Sequence, residues 1–215
     1  MFRMTPDGAL SSLPGPVGSG PGPIMQASDG ALYLVAPFAG ASRLGAIFRI
    51  TLDGTSTLLH AFSGGDGAAP RGRLVQASDG HLYGTTSEGG AANLGTVFRI
   101  TTAGALTTLH SFTTAGTDRP MAGLLAASDG FLYGSTTELN VEAPSGTVFR
   151  VDPSSGVVSL VRAFAADGSE GTPSPSALVE GLDGALFGTA WVTDHSAGGP
   201  RGFFYRLSIG GATLR

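Results

Sequence analysis

Short apolar runs alternate with clusters of glycine, aspartate and asparagine along the chain. In one unit the runs predict four strands, which we name strand a (73–78), strand b (81–86), strand c (96–101) and strand d (106–112). β-Branched and aromatic residues occupy the runs, as is typical of strands. No segment shows the 3.6-residue apolar period of an amphipathic helix, so the pattern predicts an all-β chain.

The four-strand pattern repeats along the sequence. Gln-Ala-Ser-Asp-Gly occurs at 26–30 and again at 76–80, followed by Ala-Ala-Ser-Asp-Gly at 126–130 and Gly-Leu-Asp-Gly at 181–184. The aspartates stand at positions 29, 79, 129 and 183, so the units are 50, 50 and 54 residues long. Repeats of this length with four antiparallel strands each predict the blades of a β-propeller.

Strand c is apolar on both of its faces, as Ile47, Phe48 and Ile50 show in the first unit. Both faces of a propeller blade pack against neighbours. Strict alternation of apolar and polar residues would instead have favoured a sandwich with one solvent-exposed face. Each later strand b contains a glycine, which predicts a bulge or the close approach of another backbone. These glycines are Gly84, Gly134 and Gly188.

The repeats predict one propeller domain over residues 1–215. Its parts are a partial repeat with a Pro/Gly-rich loop (1–23), three full repeats (24–70, 71–120 and 121–173) and a last repeat with a truncated end (174–215). Two arrangements fit this count. Either the N-terminal c–d hairpin (2–13) completes the last of four blades, leaving one strand pair to spare, or the chain is an arc of a larger ring.

The two rims of the predicted propeller differ. Tight Asp-Gly turns, which are strong hairpin signals, join strands a and b on one rim. The other rim carries longer loops, such as 63–70 and 87–94. Because variable loops on a rigid scaffold commonly carry binding sites, we expect a ligand at the long-loop rim.

Composition excludes several chemistries. The chain has no cysteine, which excludes disulfides and thiolate metal sites, and its 12 basic residues are all arginine, which excludes a Schiff-base lysine. A net charge of −4 with scattered arginines argues against nucleic acid. No apolar run reaches the roughly 18 residues of a membrane helix. The N-terminus lacks a secretory signal pattern and begins inside a repeat, so we expect a piece of a longer protein.

Four residues are candidates for ligand binding on the long-loop rim. Glu88 and Glu138 occupy matching positions after strand b, although a glycosidase would need two carboxyls about 5–10 Å apart. Trp191 could stack on a ligand, and His195 follows an aspartate in the last long loop. No Gly-x-Ser-x-Gly nucleophile motif accompanies this acid–histidine pair, which argues against a hydrolase triad.

Three aspartates of the d-to-a loops are candidates for calcium. Asp66, Asp118 and Asp167 lie near glycine and proline, but they lack EF-hand spacing, and Asx turns are the favoured explanation for them. No other cofactor is expected. The arginines that recur in strand c are expected to stack or to pair with turn aspartates. They are Arg49, Arg99, Arg150 and Arg206.

Three motifs together resemble the GloVer tandem repeats of bacterial proteins. They are Gly-Thr-Val-Phe-Arg-Ile-Thr, Leu-Thr-Thr-Leu-His-Ser-Phe and Ser-Asp-Gly-x-Leu-Tyr-Gly-Thr-Thr, and they depart from the pattern at 34–35 and 190–191. A weaker likeness is to the periplasmic propellers of two-component sensors. The resemblance implies a propeller-like fold and a secreted or surface location, and it supplies no catalytic residues.

These observations favour a non-enzymatic binding or display module of a bacterial secreted or surface protein. Its partner would be a glycan or a protein bound at the long-loop rim, and the chain could oligomerise if its ring is incomplete. Two alternatives stay open: a carbohydrate-active enzyme that uses loop carboxylates, and a purely structural spacer.

Overall fold

A computed structural model describes residues 2–4, 6–12, 20, 22–113, 119–137, 146–164, 172–173, 177–192 and 201–208. All regular secondary structure in these ranges is β-strand, which confirms the all-β prediction. The strands form a hairpin and four antiparallel four-stranded sheets.

The N-terminal hairpin consists of β1 (Phe2–Met4) and β2 (Leu10–Ser12). The first sheet contains β3 (Ile24–Gln26), β4 (Leu32–Ala36), β5 (Ala46–Ile50) and β6 (Ser56–Ala61). The second contains β7 (Val75–Gln76), β8 (Leu82–Thr86), β9 (Thr96–Ile100) and β10 (Leu106–Ser111). The third contains β11 (Leu125–Ala126), β12 (Leu132–Thr137), β13 (Gly146–Val151) and β14 (Val158–Ala163). The fourth contains β15 (Thr172–Pro173), β16 (Val179–Glu180), β17 (Leu186–Val192) and β18 (Arg201–Leu207).

Strands in the first three sheets pair in chain order, a to b to c to d, as the repeat predicts. Strand a is only two or three residues long, which is shorter than predicted. In the fourth sheet β15 and β16 both pair with β17, and β18 pairs with the opposite edge of β17. Two short segments therefore take the place of strand a in this sheet.

The sheets stack in a row, and each pair of neighbours shares one apolar cluster. Met25, Tyr33 and Ile47 of the first sheet pack with Leu82 and Phe98 of the second. Equivalent clusters join the second sheet to the third and the third to the fourth. Because both faces of the middle sheets are buried, the four sheets are blades of the propeller type.

The same aromatic contact recurs at each junction between blades. The ring at the end of strand d meets the strand c ring of the next blade edge to face, with centroids 5.1–5.5 Å apart. Such pairs add about 0.5–1.5 kcal/mol beyond the burial of their surface. The three pairs are Phe62–Phe98, Phe112–Phe149 and Phe164–Tyr205.

The recurring glycine of strand b lies directly opposite the strand c ring. Gly84 pairs with Phe98, and a Cβ atom on Gly84 would lie 2.6 Å from Cζ of that ring. Our expectation of a bulge or a nearby backbone at this glycine was wrong, because an aromatic side chain occupies the space. The described register shifts lie between strands c and d instead.

The first blade departs from this arrangement. Leu34 stands opposite Phe48 where the later blades have glycine, and Phe48 packs with Ala36 and Ala46 rather than with another blade. Among the described residues, β1 and β2 pair only with each other, and neither pairs with the fourth sheet. No apolar cluster of the described residues joins the fourth sheet to the first. The described blades form an open row.

The a–b turns are fixed by their aspartates, as the sequence indicated. Asp79 Oδ1 accepts a hydrogen bond from the His81 backbone, and Tyr83 donates its hydroxyl to Asp79 Oδ2 at 2.7 Å. Burial, followed by this contact with Asp79, raises the pKa of Tyr83 to about 12. Arg206 Nη2 pairs with the turn carboxylate Asp183 at 2.8 Å and Arg49 Nη2 pairs with Asp29 at 3.1 Å, which confirms the pairing expected for these two strand c arginines.

A polar contact links consecutive blades near these turns. Gln76 Oε1 in the second blade accepts a hydrogen bond from Ser28 N in the first at 2.8 Å. Glu180 in the fourth blade accepts from Ser128 N in the third at 2.9 Å. The third blade has Ala126 at this position, so the junction between the second and third blades lacks the contact.

We expect Gly84→Ala to destabilise the protein by about 1–3 kcal/mol, because the added methyl overlaps Phe98 and Leu74. Urea unfolding measures the change. Gly65→Ala is the matched control, because a Cβ there meets nothing within 4 Å. Equal effects of the two substitutions would contradict the packing role of Gly84.

We expect Ala126→Gln to stabilise the protein by about 0.5–1.5 kcal/mol, because the new amide can accept from the Ser78 backbone as Gln76 does from Ser28. Thermal unfolding is the measurement, with the exposed turn substitution Ala103→Gln as control. A stabilisation no larger than that of the control would show that the contact contributes nothing.

Candidate functional site

The long loops of the first two blades meet on the rim opposite the Asp-Gly turns. We define the long-loop rim as residues 37–45, 62–71 and 87–95. Ala68 N donates to Glu88 O at 2.7 Å, and Glu88 N donates to Ala68 O at 3.0 Å. Gly90 N also donates to Gly64 O at 2.8 Å. The d-to-a loop of one blade and the b–c loop of the next are therefore held together through their backbones.

Close backbone contact in this rim depends on glycine. A Cβ on Gly89 would lie 2.5–2.6 Å from backbone atoms of Gly67 and Ala68, so a side chain at position 89 would separate the loops. Asn93 Oδ1 accepts from Gly89 N at 2.8 Å, and Asn93 adopts a φ of 59°. Asparagine tolerates this left-handed conformation better than most residues. The loop is thus fixed by its own sequence as well as by its neighbour.

One position on this rim holds side chains of different chemistry on a fixed backbone. Glu88 is exposed, and Phe38, at the same repeat position in the first blade, is 53% exposed. Arg71 lies over the Phe38 ring with its Cζ 5.5 Å from the centroid, and its Nε donates to Ser87 Oγ at 3.3 Å. Arg71 therefore connects Phe38 to the residue before Glu88. The sequence analysis missed Phe38 and Arg71, although aligning Phe38 with Glu88 would have exposed the change of residue.

Asp66 is engaged by its own loop. Its Oδ1 accepts from Ser63 N at 2.8 Å and from Ser63 Oγ at 2.9 Å, and its Oδ2 lies 2.8 Å from His60 Nε2. Burial raises the pKa of Asp66, but the Ser63 and His60 contacts together outweigh it and leave the pKa below 3.8. The His60 ring also packs edge to face on Phe62. These contacts close the loop in the manner of an Asx turn.

The structure describes only some of the predicted site residues. Glu88 and Asp66 lie in neighbouring loops that share the Ala68–Glu88 backbone pairing. Trp191 lies in β17 opposite Gly202, and only its backbone is described. The remaining candidates lie outside the described residues. They are Glu138, His195, Asp118 and Asp167.

No group of three or more histidine, cysteine, aspartate or glutamate side chains that could hold a metal ion occurs in the part of the chain that the structure describes. Calcium binding by the d-to-a loops therefore stays a prediction. The same described ranges contain no helix long and apolar enough to cross a membrane.

A small polar cavity of about 250 Å³ lies on the tight-turn rim, between the a–b turns of the third and fourth blades. Asp129, Asp183 and Arg206 contribute its charged groups. Ala185 lines it at the repeat position that holds His81 in the second blade and Phe131 in the third. Phe131 lies against Arg150, with Cζ 4.6 Å from the ring centroid, so the smaller Ala185 leaves the corresponding space open.

The chain matches the family model of the Gloeobacter/Verrucomicrobia repeat over residues 1–205. It belongs to this repeat family, which confirms the resemblance drawn from its motifs. No curated protein matches the chain.

Several solved structures share the fold at low sequence identity. Hydrazine synthase of Kuenenia stuttgartiensis is 15% identical with a TM-score of 0.63, over 89% of this chain and 52% of that one. A gluconolactonase from Xanthomonas campestris is 20% identical with a TM-score of 0.54, over 88% and 61%. The extracellular domain of a putative hybrid two-component system from B. thetaiotaomicron is 14% identical with a TM-score of 0.56, over 89% and 21%. The chain thus spans between a fifth and three fifths of the lengths of these structures.

We expect the carboxyl of Asp66 to titrate below pH 3.8 in the folded protein. Because its folded pKa is lowered, the ionised group stabilises the fold above that pH, and the stabilisation is lost as the pH falls through the folded pKa. Carbon-13 NMR titration measures the value. Ser63→Ala removes one donor and should raise the pKa, whereas the exposed Ser56→Ala should leave it unchanged. A folded pKa at or above 3.8 would contradict this account of the loop.

Proposed function

We propose that this chain is a non-enzymatic binding module that holds its ligand at the long-loop rim. The observation that carries the proposal is the fixed backbone beneath Glu88. The Glu88 backbone both donates a hydrogen bond to Ala68 and accepts one from it, which holds the backbone in place. The first blade has Phe38 at the same repeat position, and the side chains of both residues are exposed. A scaffold that keeps its backbone while changing its outward side chains is typical of a recognition surface.

The chemistry of the rim suits a glycan. The exposed Phe38 ring offers an apolar face for the C–H face of a sugar, and Arg71 and Glu88 offer a donor and an acceptor for its hydroxyls. Arg71 is already held over Phe38 and bonded to Ser87, so little of its conformational freedom remains to be lost on binding. A protein partner is the competing occupant of this surface.

Binding without turnover accounts for these residues better than hydrolysis does. Glycoside hydrolysis needs a pair of carboxyls on either side of the bond. Asp66, the described carboxylate of the neighbouring loop, is directed to Ser63 and His60, which favours a role in closing the loop. The likeness to a gluconolactonase, at 20% identity, extends to the fold alone.

A secreted or surface location agrees with such a role. The extracellular domain of the putative hybrid two-component system shares the fold, and glycans and partner proteins are both accessible outside the cell. We therefore propose that the chain is part of a bacterial secreted or surface protein, in which it displays the long-loop rim.

We expect fluorescently labelled chain to bind a subset of glycans on an array. Phe38→Ala and Glu88→Gln should each weaken the best binder by about fivefold or more, because the loss of a contact at the centre of a binding site costs about 1 kcal/mol or more. Isothermal titration calorimetry provides the affinities.

Leu52→Ala is the matched control, since Leu52 is 59% exposed but lies in a c–d turn on the opposite rim. Retained binding in this variant, with loss in the other two, supports the proposal. Binding to proteins but to no glycan would show that the ligand of the rim is a protein and not a glycan. Absence of any ligand would favour a structural spacer and overturn the proposal.

A further inference from the structure

One arginine of the long-loop rim is held in position by neutral groups. The Arg71 guanidinium lies over the Phe38 ring, with its Cζ 5.5 Å from the ring centroid, and its Nε donates to Ser87 Oγ at 3.3 Å. Ser87 is only 3% exposed and donates its own hydroxyl to Ala69 O at 3.0 Å, which fixes the oxygen that accepts from Arg71. A ring of the first blade and a buried hydroxyl of the second therefore orient this side chain.

The outer nitrogens of Arg71 are available to a ligand. Arginine carries five N–H groups in a planar fork, and the hydrogen bonds between described residues use only the Nε group of Arg71. None of the ion pairs between described residues includes Arg71, whereas Arg49 and Arg206 each pair with a turn aspartate. The two Nη atoms can therefore bind one planar anion through two parallel hydrogen bonds.

The same three positions differ at the junction between the second and third blades. They hold Glu88, Met121 and Thr137 where the first junction has Phe38, Arg71 and Ser87. A contact that blade stacking requires recurs at each junction, as the edge-to-face pairs of rings do. The arrangement around Arg71 is therefore not required by the stacking of the blades, which favours a role in binding.

The acidic side chains of the adjacent loops leave the charge of Arg71 uncompensated. Asp66, in the loop that leads to Arg71, is directed to Ser63 and His60. Glu88 forms no ion pair with any residue that the structure describes. Arg71 is half-buried, and a charge that is partly removed from water is stabilised by an anionic partner. An anionic ligand can supply that partner without displacing an existing one.

We propose that Arg71 binds the carboxylate of a uronic acid in the glycan held at the long-loop rim. This inference rests on the proposed function and adds the class of sugar to it. In the complex, Nη1 and Nη2 of Arg71 donate to the two carboxylate oxygens, while the guanidinium stays over the Phe38 ring. A planar carboxylate matches the planar fork, whereas a sugar hydroxyl offers a single oxygen.

A panel of galacturonate, glucuronate and mannuronate oligosaccharides, each as the acid and as its methyl ester, tests the proposal by isothermal titration calorimetry. The full chain should bind at least one acid about tenfold or more tightly than its ester, because hydrogen bonds to a charged group are stronger than those to a neutral one. Arg71→Gln should abolish this preference by weakening binding of the acid. Arg71→Lys keeps the charge but loses the planar fork, so its preference for the acid should lie between those of the parent chain and Arg71→Gln.

Arg73→Gln is the matched control, because Arg73 is exposed, carries the same charge and lies outside the long-loop rim. This variant should keep the preference for the acid, and circular dichroism verifies that each variant is folded. An equal loss in Arg73→Gln and Arg71→Gln would overturn the proposal, because it would indicate a general attraction to positive charge.

The panel also separates this proposal from the proposed function. Equal binding of every acid and its ester would overturn the role of Arg71 and leave glycan binding at the rim intact. Tighter binding of sulfated dextran than of any uronate would likewise overturn it, because the anion would then be a sulfate. If neither these probes nor any other glycan or protein binds, both the role of Arg71 and the proposed function are wrong.

Discussion

The contact between a strand c ring and the glycine opposite it determines how these sheets stack. Because Gly84 has no side chain, the Phe98 ring lies against strand b, and Phe62 of the preceding blade meets that ring edge to face. The same three-residue arrangement recurs at the next two junctions. It gives the row a direction, because the ring at the end of strand d always comes from the preceding blade. The clusters of buried aliphatic residues extend from this contact.

Directional stacking leaves the loops free to differ. Strands b and c are almost wholly buried in the second and third blades, so substitutions there disturb packing. The long-loop rim is held differently, by backbone hydrogen bonds such as those between Ala68 and Glu88, which do not depend on side-chain identity. Recognition can therefore change at the rim without altering the blades, and this separation underlies the binding role that we propose.

The two ends of the row are not equivalent. Leu34 replaces the glycine in the first blade, so the Phe48 ring lacks the space against strand b that Phe98 occupies opposite Gly84. The fourth blade instead presents Phe204 to solvent. Exposed apolar surface of this kind marks an interaction site.

The sequence by itself determined the repeat, the four strands of each blade, the tight turns and the all-β class, because these depend on local turn chemistry and on the period of apolar residues. It also placed Glu88 on the long-loop rim. It could not reveal that Arg71 lies over Phe38, that Asp66 is held by Ser63 and His60, or why glycine recurs in strand b. Those facts depend on contacts between loops or blades that are distant in sequence or differ in detail, and only the tertiary structure brings these groups within bonding distance.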